Sequence, residues 1–388
     1  MEKIGMPAYA RQVLDQLAQA GYKAFAVGGC VRDSLLGQEP ADWDVTTSAL
    51  PAETIAAFAK TCKVIETGLR HGTVTVLMDG HPVEITTYRV DGAYSDGRHP
   101  DTVSFTRNLR EDLARRDFTI NAMAYSPSSG IADPFGGRQD LAAGLVRCVG
   151  EPDRRFREDA LRILRALRFS AVLGFAIEPK TAKSLRENRD LLWKIARERI
   201  FAELCRLVCG QNAREVLWEY PEVVRAAAGI PLAPSEALAK LPADPRLRLA
   251  AVLEELSPKE ADAVLSGFRS DRETRRLVRM LLTHRTADLR PERPLLRRWL
   301  ARIGPADLQK LITFRRAYGE ALLNVRRMLD EILADGDCFC LAGLAVDGSD
   351  LAARGYSGRE IGKSLDMLLD WVIDGKLPNE KEALLKSL

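Results

Sequence analysis

The sequence predicts an α+β amino-terminal domain followed by an all-α remainder. Three observations carry that expectation. Short β-branched runs alternate with helical segments over the first 150 residues. From about Pro152 that alternation gives way to helical periodicity. Beyond it, Gly174, Gly210, Gly229, Pro291 and Gly304 punctuate helices rather than close hairpins. The expected divisions are residues 1–150, 151–212, 213–335 and 336–388.

Each element follows from local pattern. Residues 7–20 form an amphipathic helix, with Pro7 at its start and Gly21 past its end. Residues 23–27 are a short buried strand. Gly28 and Gly29 turn it into one or two helical turns, 31–36, stopped by Gly37. Trp43-Asp44-Val45-Thr46 is a second strand, and 51–60 a further helix. Residues 73–78 and 82–88 are strands joined by Asp79-Gly80-His81, a hairpin. Residues 152–172 form one long helix. Its apolar stripe is Phe156, Ala160, Ile163, Leu164, Leu167 and Ala171; Arg154, Glu158, Arg162, Arg165 and Arg168 line the polar side. Residues 230–300 indicate only packed helices. The last fifty, after Asp335-Gly336-Asp337, suggest a small separate helical module.

Bulk composition narrows the function classes. With 388 residues and 46% apolar content, several cores are affordable. A net charge of +3 means that a polyanionic partner must meet a local patch. No apolar run approaches membrane-spanning length, and residues 1–6 lack a leader pattern. The seven cysteines contain no Cys-x-x-Cys pair; Cys205 and Cys209 have the spacing of a helical core pair. A reduced, cytoplasmic setting is expected, with no membrane partner.

Three constellations carry chemistry. The first is Gly28-Gly29-Cys30-Val31-Arg32-Asp33, followed by Asp42-Trp43-Asp44. Backbone N–H groups at a glycine turn point at an anion, and Arg32 adds donors. Asp42 and Asp44, two apart on a strand, leave the same face and repel unless a cation lies between them. Magnesium bridging them to a triphosphate satisfies both demands. Glu84, between Val83 and Ile85 in mid-strand, is a candidate third carboxylate; an exposed strand face is the ordinary alternative.

The second is Arg115-Arg116-Asp117-Phe118-Thr119-Ile120-Asn121. Asp117 and Asn121 suit ribose hydroxyls and Arg116 a phosphate, although such a cluster also serves as a surface salt bridge. The third is Glu158-Asp159 with Arg162, side by side if the helix is continuous. Cytosine and adenine each present an amino donor beside a ring-nitrogen acceptor. A carboxylate and a guanidinium complement that edge, while uracil and guanine present the reverse. As an isolated pair, these residues are equally an ordinary solvated helix contact.

Together, these motifs, with Asp133-Pro134-Phe135-Gly136-Gly137 and Arg197-Glu198-Arg199-Ile200, resemble the class II tRNA nucleotidyltransferases and their poly(A) polymerase relatives. The resemblance covers residues 22–200 in order, and Gly348-x-x-Leu351 with Gly358-x-x-Ile361-Gly362 extends it loosely into the tail. It implies a polymerase β-like palm as head, with helical neck, body and tail at the divisions above. It implies Mg²⁺ on Asp42 and Asp44, with Glu84 in the catalytic group. Nucleotide contacts would come from Gly29, Arg32, Arg116, Asp117, Asn121, Asp159, Arg162, Arg165 and Arg168. Glu158, Asp159 and Arg162 would read the base. The implied activity is addition of CCA to tRNA from CTP and ATP; addition of the terminal A alone and poly(A) synthesis are the alternatives. Residues 88–100 resemble the family's flexible loop, with Gly92 and Gly97 letting it swing, which argues against addition of CC alone.

Overall fold

A computed structural model of the chain describes residues 4–66, 68–92 and 102–388. The chain divides into two compact units, Met1–Pro234 and Ser235–Leu388. The first is α+β and the second helical.

The strands of the first unit are β1 (Ala24–Val27), β2 (Val45–Thr47), β3 (Lys63–Ile65), β4 (Thr73–Met78), β5 (His81–Thr87), β6 (Arg89–Asp91), β7 (Val103–Phe105), β8 (Ala124–Ser126), β9 (Gly130–Ala132), β10 (Leu145–Val146) and β11 (Ala176–Ile177). Seven of them form one sheet in the order β3-β4-β5-β2-β1-β8-β9. Within it, only the β2–β5 pair is parallel, with Val45 opposite Ile85 and Thr46 opposite Thr86. The β4–β5 hairpin closes through Asp79 and Gly80, both at positive φ (51° and 81°), as a tight two-residue turn requires.

Helices α1 (Ala8–Gln19) and α3 (Pro51–Phe58) contribute to one core with the sheet. Val13, Leu14 and Leu17 pack there with Phe58, Val45, Val76, Val83 and Ile85. Along β5, Val83 and Ile85 are buried while Glu84 between them is exposed. The period of two thus sends the carboxylate to the opposite face. Short helices α2 (Gly29–Leu35), α4 (Leu109–Ala114) and α5 (Gly137–Ala142) follow. Gly137 has a specific reason: a Cβ there would lie 2.3 Å from the Thr119 carbonyl oxygen. Its N–H and that of Arg138 are held by the Asp133 carboxylate, at 2.7 and 2.9 Å.

The expected single helix over 152–172 is instead two, α6 (Pro152–Glu158) and α7 (Leu161–Leu173). Asp159 between them is extended, at φ −142° and ψ 103°. Its carboxylate accepts from the Leu161 N–H at 3.0 Å, a local bond that competes with the helical ladder. The apolar stripe is nonetheless buried, including Phe156, Ile163, Leu164 and Leu167. Strand β11 also departs from the expected all-helical continuation, pairing parallel with β10. Helix α9 (Arg197–Val208) packs on α7, and a Cβ on Gly210 just beyond it would meet the Ala171 backbone at 2.4 Å. None of the seven cysteines forms a disulfide; Cys205 and Cys209 are half-buried rather than core residues.

In the second unit, the last fifty residues have their own core of Cys338, Val346, Leu351, Leu368, Val372 and Leu384. They are not independent of the helices before them. Asp337 accepts from Arg293 and Arg297, both at 2.7 Å, and Arg297 also donates to the Val372 carbonyl at 3.2 Å. Among the described residues, no helix is long and apolar enough to cross a membrane.

Candidate active site

The glycine turn, both aspartates and the second arginine of Arg115-Arg116 come together at the carboxyl end of β1. Gly28 takes φ 82° and ψ −128°, open to glycine, and its N–H donates to the Met123 carbonyl. A Cβ on Gly28 would sit 3.0 Å from Arg116 Nη1, so the missing side chain makes room for that guanidinium. Gly29 begins α2, with Arg32 one turn on.

Asp42 and Asp44 precede β2 rather than lying within it. The ladder still reaches Asp44, whose carbonyl accepts from the Val27 N–H at 3.0 Å. Both aspartates are exposed while Trp43 between them is buried, so the two carboxylates share a side. One step of parallel register before the Val45–Ile85 pair, Asp44 stands beside Glu84. Asp44 keeps exposed surface, yet the protein crowded around it, and then the charges of Asp42 and Glu84, push its carboxyl up to about 6, against the pull of Arg116.

That unrelieved repulsion fits a divalent cation. The resemblance implies one, and the donors are hard oxygens. Among the described residues no three or more His, Cys, Asp or Glu side chains form a metal-holding group, so Glu84 does not complete a closed cage. A pair of carboxylates that borrows phosphate oxygens is how Mg²⁺ sites with nucleotides are ordinarily built. Arg116 supplies the neighbouring orphan. Its Nε is buried without a hydrogen-bond partner, and burial pulls its pKa down against the nearby Asp112 charge.

Asp112, fully buried on α4, holds this arrangement and was invisible as a site residue in the sequence. It accepts from Thr46 Oγ1 (3.1 Å), the Arg89 N–H (3.3 Å) and Arg115 Nη2 (2.8 Å), and lies 3.7 Å from Arg116. Burial alone would raise its carboxyl; the Arg115 and Arg116 charges outweigh it and hold it below the usual range. Its spacing, three and four residues before two arginines, was the available signal.

Asp117 and Asn121 are engaged with arginines. Asp117 Oδ2 accepts from Arg165 Nε and Nη2 at 2.8 and 2.5 Å, and Oδ1 from the Phe118 N–H and Asn121 Nδ2. Burial is outweighed by Arg165, which holds the Asp117 carboxyl far below its ordinary value. Asn121 Oδ1 accepts from Arg32 Nη1 at 2.7 Å. In this arrangement the two residues orient arginines rather than face an open sugar pocket. Arg168 pairs with Glu203 of α9 at 2.9 Å, and burial draws its pKa down to about 10.

The expected base-reading trio is differently wired than a continuous helix would make it. Arg162 Nη1 donates to Glu158 Oε2 at 2.8 Å, and Nη2 to the Arg115 carbonyl at 2.9 Å. Asp159, displaced by the helix break, pairs with Arg199 of α9 at 3.2 Å. The Arg115 carbonyl therefore ties this cluster to the glycine-turn cluster. The expected flexible loop falls largely on residues 93–101, outside the described residues, as does Gly97; the strands flanking it, β6 and β7, pair with Asp91 opposite Val103.

Comparison with known proteins agrees with this geometry. The family described as "Poly A polymerase head domain" matches residues 24–147, and "Probable RNA and SrmB-binding site of polymerase A" matches 174–220. The CCA-adding enzyme of Lactobacillus helveticus is 36% identical over 98% of this chain and 96% of its own length. That of Geobacillus stearothermophilus is 48% identical over 53% of this chain and 50% of its own. The crystal structure of the Bacillus stearothermophilus CCA-adding enzyme in complex with CTP superposes with a TM-score of 0.85 at 33% identity, covering 98% of both chains. With an α+β head, a helical remainder and this full-length similarity, the chain belongs to the CCA-adding enzyme family of nucleotidyltransferases.

Proposed function

We propose that this chain adds C, C and A to the 3′ end of tRNA from CTP and ATP, without a nucleic-acid template. The observation that carries this is the Asp42–Asp44 pair, crowded by Glu84 and facing Arg116 beside the glycine turn. The RNA 3′-hydroxyl attacks the α-phosphate, the α–β bridging P–O bond breaks, and pyrophosphate leaves. Asp42 and Asp44 would hold Mg²⁺, which when bound stabilises charge on the reacting oxygens. Gly28 and Gly29 let backbone approach the phosphates, while Arg32, Arg116, Arg165 and Arg168 supply donors. Asp117 and Asn121 fix the directions of Arg165 and Arg32.

Asp159 and Arg162 read the base, with Glu158 and Arg199 steadying them. The Asp159 carboxylate accepts from the amino group of C or A, and Arg162 donates to the ring nitrogen. Uracil and guanine mismatch both, at about 1–3 kcal/mol per bidentate contact. The head comprises 1–150, the neck 151–212, the body 213–335 and a tRNA-binding tail 336–388, all acting in the cytoplasm.

The test is extension of tRNA ending before CCA, before A, or complete, with each nucleotide alone and together. All truncated forms should reach the same end. Action on the CC-ended form alone, or long tails, would sink the proposal. A second expectation concerns pH. Because the folded Asp44 carboxyl is raised, the folded chain binds more protons than the unfolded one between pH about 4 and 6. Its contribution to stability therefore declines as pH rises through that window when no cation is bound. Cation and proton compete, so Mg²⁺ affinity should fall about tenfold per unit below pH 6 and level off above it. Calorimetric titration from pH 5 to 8 measures this; a flat profile contradicts the metal assignment.

A further inference from the structure

Phe169 lies on α7 and is only 6% exposed, yet its ring is surrounded by cations. The guanidinium carbon of Arg32 is 5.1 Å from the ring centre, that of Arg165 5.5 Å and that of Arg168 4.1 Å. All fall within the range, about 6 Å, over which an aromatic face attracts a cation. Phe118 packs edge-on against the same ring, with centroids 5.7 Å apart and planes at 81°. Phe118 directly follows Asp117, the carboxylate that pairs with Arg165. One ring is thus shared by arginines from two helices and braced by the segment carrying Asp117.

Like charges gathered this closely repel. Each is answered by a carboxylate: Asp33 for Arg32, Asp117 for Arg165 and Glu203 for Arg168. Those pairs anchor one edge of Arg165 and of Arg168, while Arg32 is held by Asp33 on one edge and by Asn121 at Nη1. Among the described residues, Arg165 Nη1 and the terminal nitrogens of Arg168 have no hydrogen-bond partner, so they remain available to an anion. An aliphatic side chain would fill the space of Phe169 and offer the guanidiniums nothing. The ring offers them a negative face and takes up none of their N–H groups.

We infer that Phe169 is a positioning residue that seats Arg32, Arg165 and Arg168 together, so that the free edges of Arg165 and Arg168 converge on the phosphates of the incoming nucleotide. The inference rests on the nucleotidyl-transfer reading for the identity of that anion. It explains why a large aromatic residue stands next to Arg168 on a helix face otherwise given to arginines. Phe169 touches no reacting atom; it acts through the arginines.

Equilibrium binding of CTP and of inorganic pyrophosphate to the full chain tests it, with thermal melts on every variant. Phe169→Leu should weaken both ligands about tenfold while retaining a cooperative melt. Phe169→Tyr, which keeps the ring, should restore CTP affinity to within about threefold of the parent. A packing role alone predicts a lower melting temperature and a smaller binding-competent fraction at unchanged dissociation constants, and that result would overturn the inference. If Phe169→Leu does not fold, Arg168→Lys keeps the charge and removes the planar group from the ring. It should weaken the same two ligands, and unchanged affinity would again overturn the assignment. Binding is read without RNA, so failure to extend tRNA counts against the activity proposed above. An unchanged CTP dissociation constant counts against Phe169.

Discussion

Replacing Asp44 by asparagine is expected to lower single-turnover nucleotide addition by about 10³-fold or more, since one of two anionic donors for the cation is lost. The same change should raise the melting temperature of the cation-free protein at neutral pH. Burial, and then the charges of Asp42 and Glu84, hold the Asp44 carboxyl up to about 6, so its charge opposes folding when nothing neutralises it. Backbone pairing is untouched, because the Asp44 carbonyl rather than its side chain meets Val27. Opposite signs in activity and stability are the signature of a functional charge maintained against the fold. Binding of tRNA should persist. Full activity in the variant would remove the metal assignment, and a fall in melting temperature would remove the electrostatic account of it.

Arg162→Ala should do two separable things. Its guanidinium is nearly buried and meets Glu158, the Arg155 carbonyl and the Arg115 carbonyl. Deleting it leaves Glu158 with Arg154 and Arg155 but strips the Arg115 and Arg155 carbonyls of a donor, and should cost about 1–2 kcal/mol of stability. It should also reduce the preference for CTP and ATP over UTP and GTP by about 10- to 100-fold. Glu158→Gln is the control: it weakens the ion pairs to Arg154, Arg155 and Arg162 while leaving the Arg162 guanidinium in place. That variant should lose a comparable amount of stability yet keep more of the selectivity than Arg162→Ala. Competition assays on tRNA ending before CCA, alongside denaturant melts, separate the effects. Unchanged discrimination in folded Arg162→Ala would end the base-reading role of Arg162.

Much of the fold was legible because the relevant forces are local. Pro7 and Gly21 bracket α1, and Gly37 takes positive φ just past α2. The alternation in 73–78 and around Glu84 reports which strand face meets apolar neighbours. The break at Asp159 was not legible. The apolar residues on either side keep a helical period through it, since both helices bury the same stripe; the interruption lies in one Asx-type bond. Strands β10 and β11, of two residues each, are too short to carry any period. Asp112 stands outside every motif read from the sequence, and only the packing of α4 against β2 and β6 makes it a fully buried hub.

The order of motifs along the chain, by itself, determined an α+β head, a helical remainder, and the residue types able to meet metal, phosphate and base. Those follow from short-range geometry: a period of two, a glycine at positive φ, a carboxylate two residues from another. Partnership was decided only in three dimensions. The motifs carry several arginines and several acids each, and Coulomb attraction does not discriminate among them. Burial does, because inside the protein each charge must be matched at hydrogen-bond distance. So Asp117 went to Arg165, Asp159 to Arg199 and Arg162 to Glu158, while Asp42 and Asp44 were left facing each other with their repulsion offset only in part by Arg116.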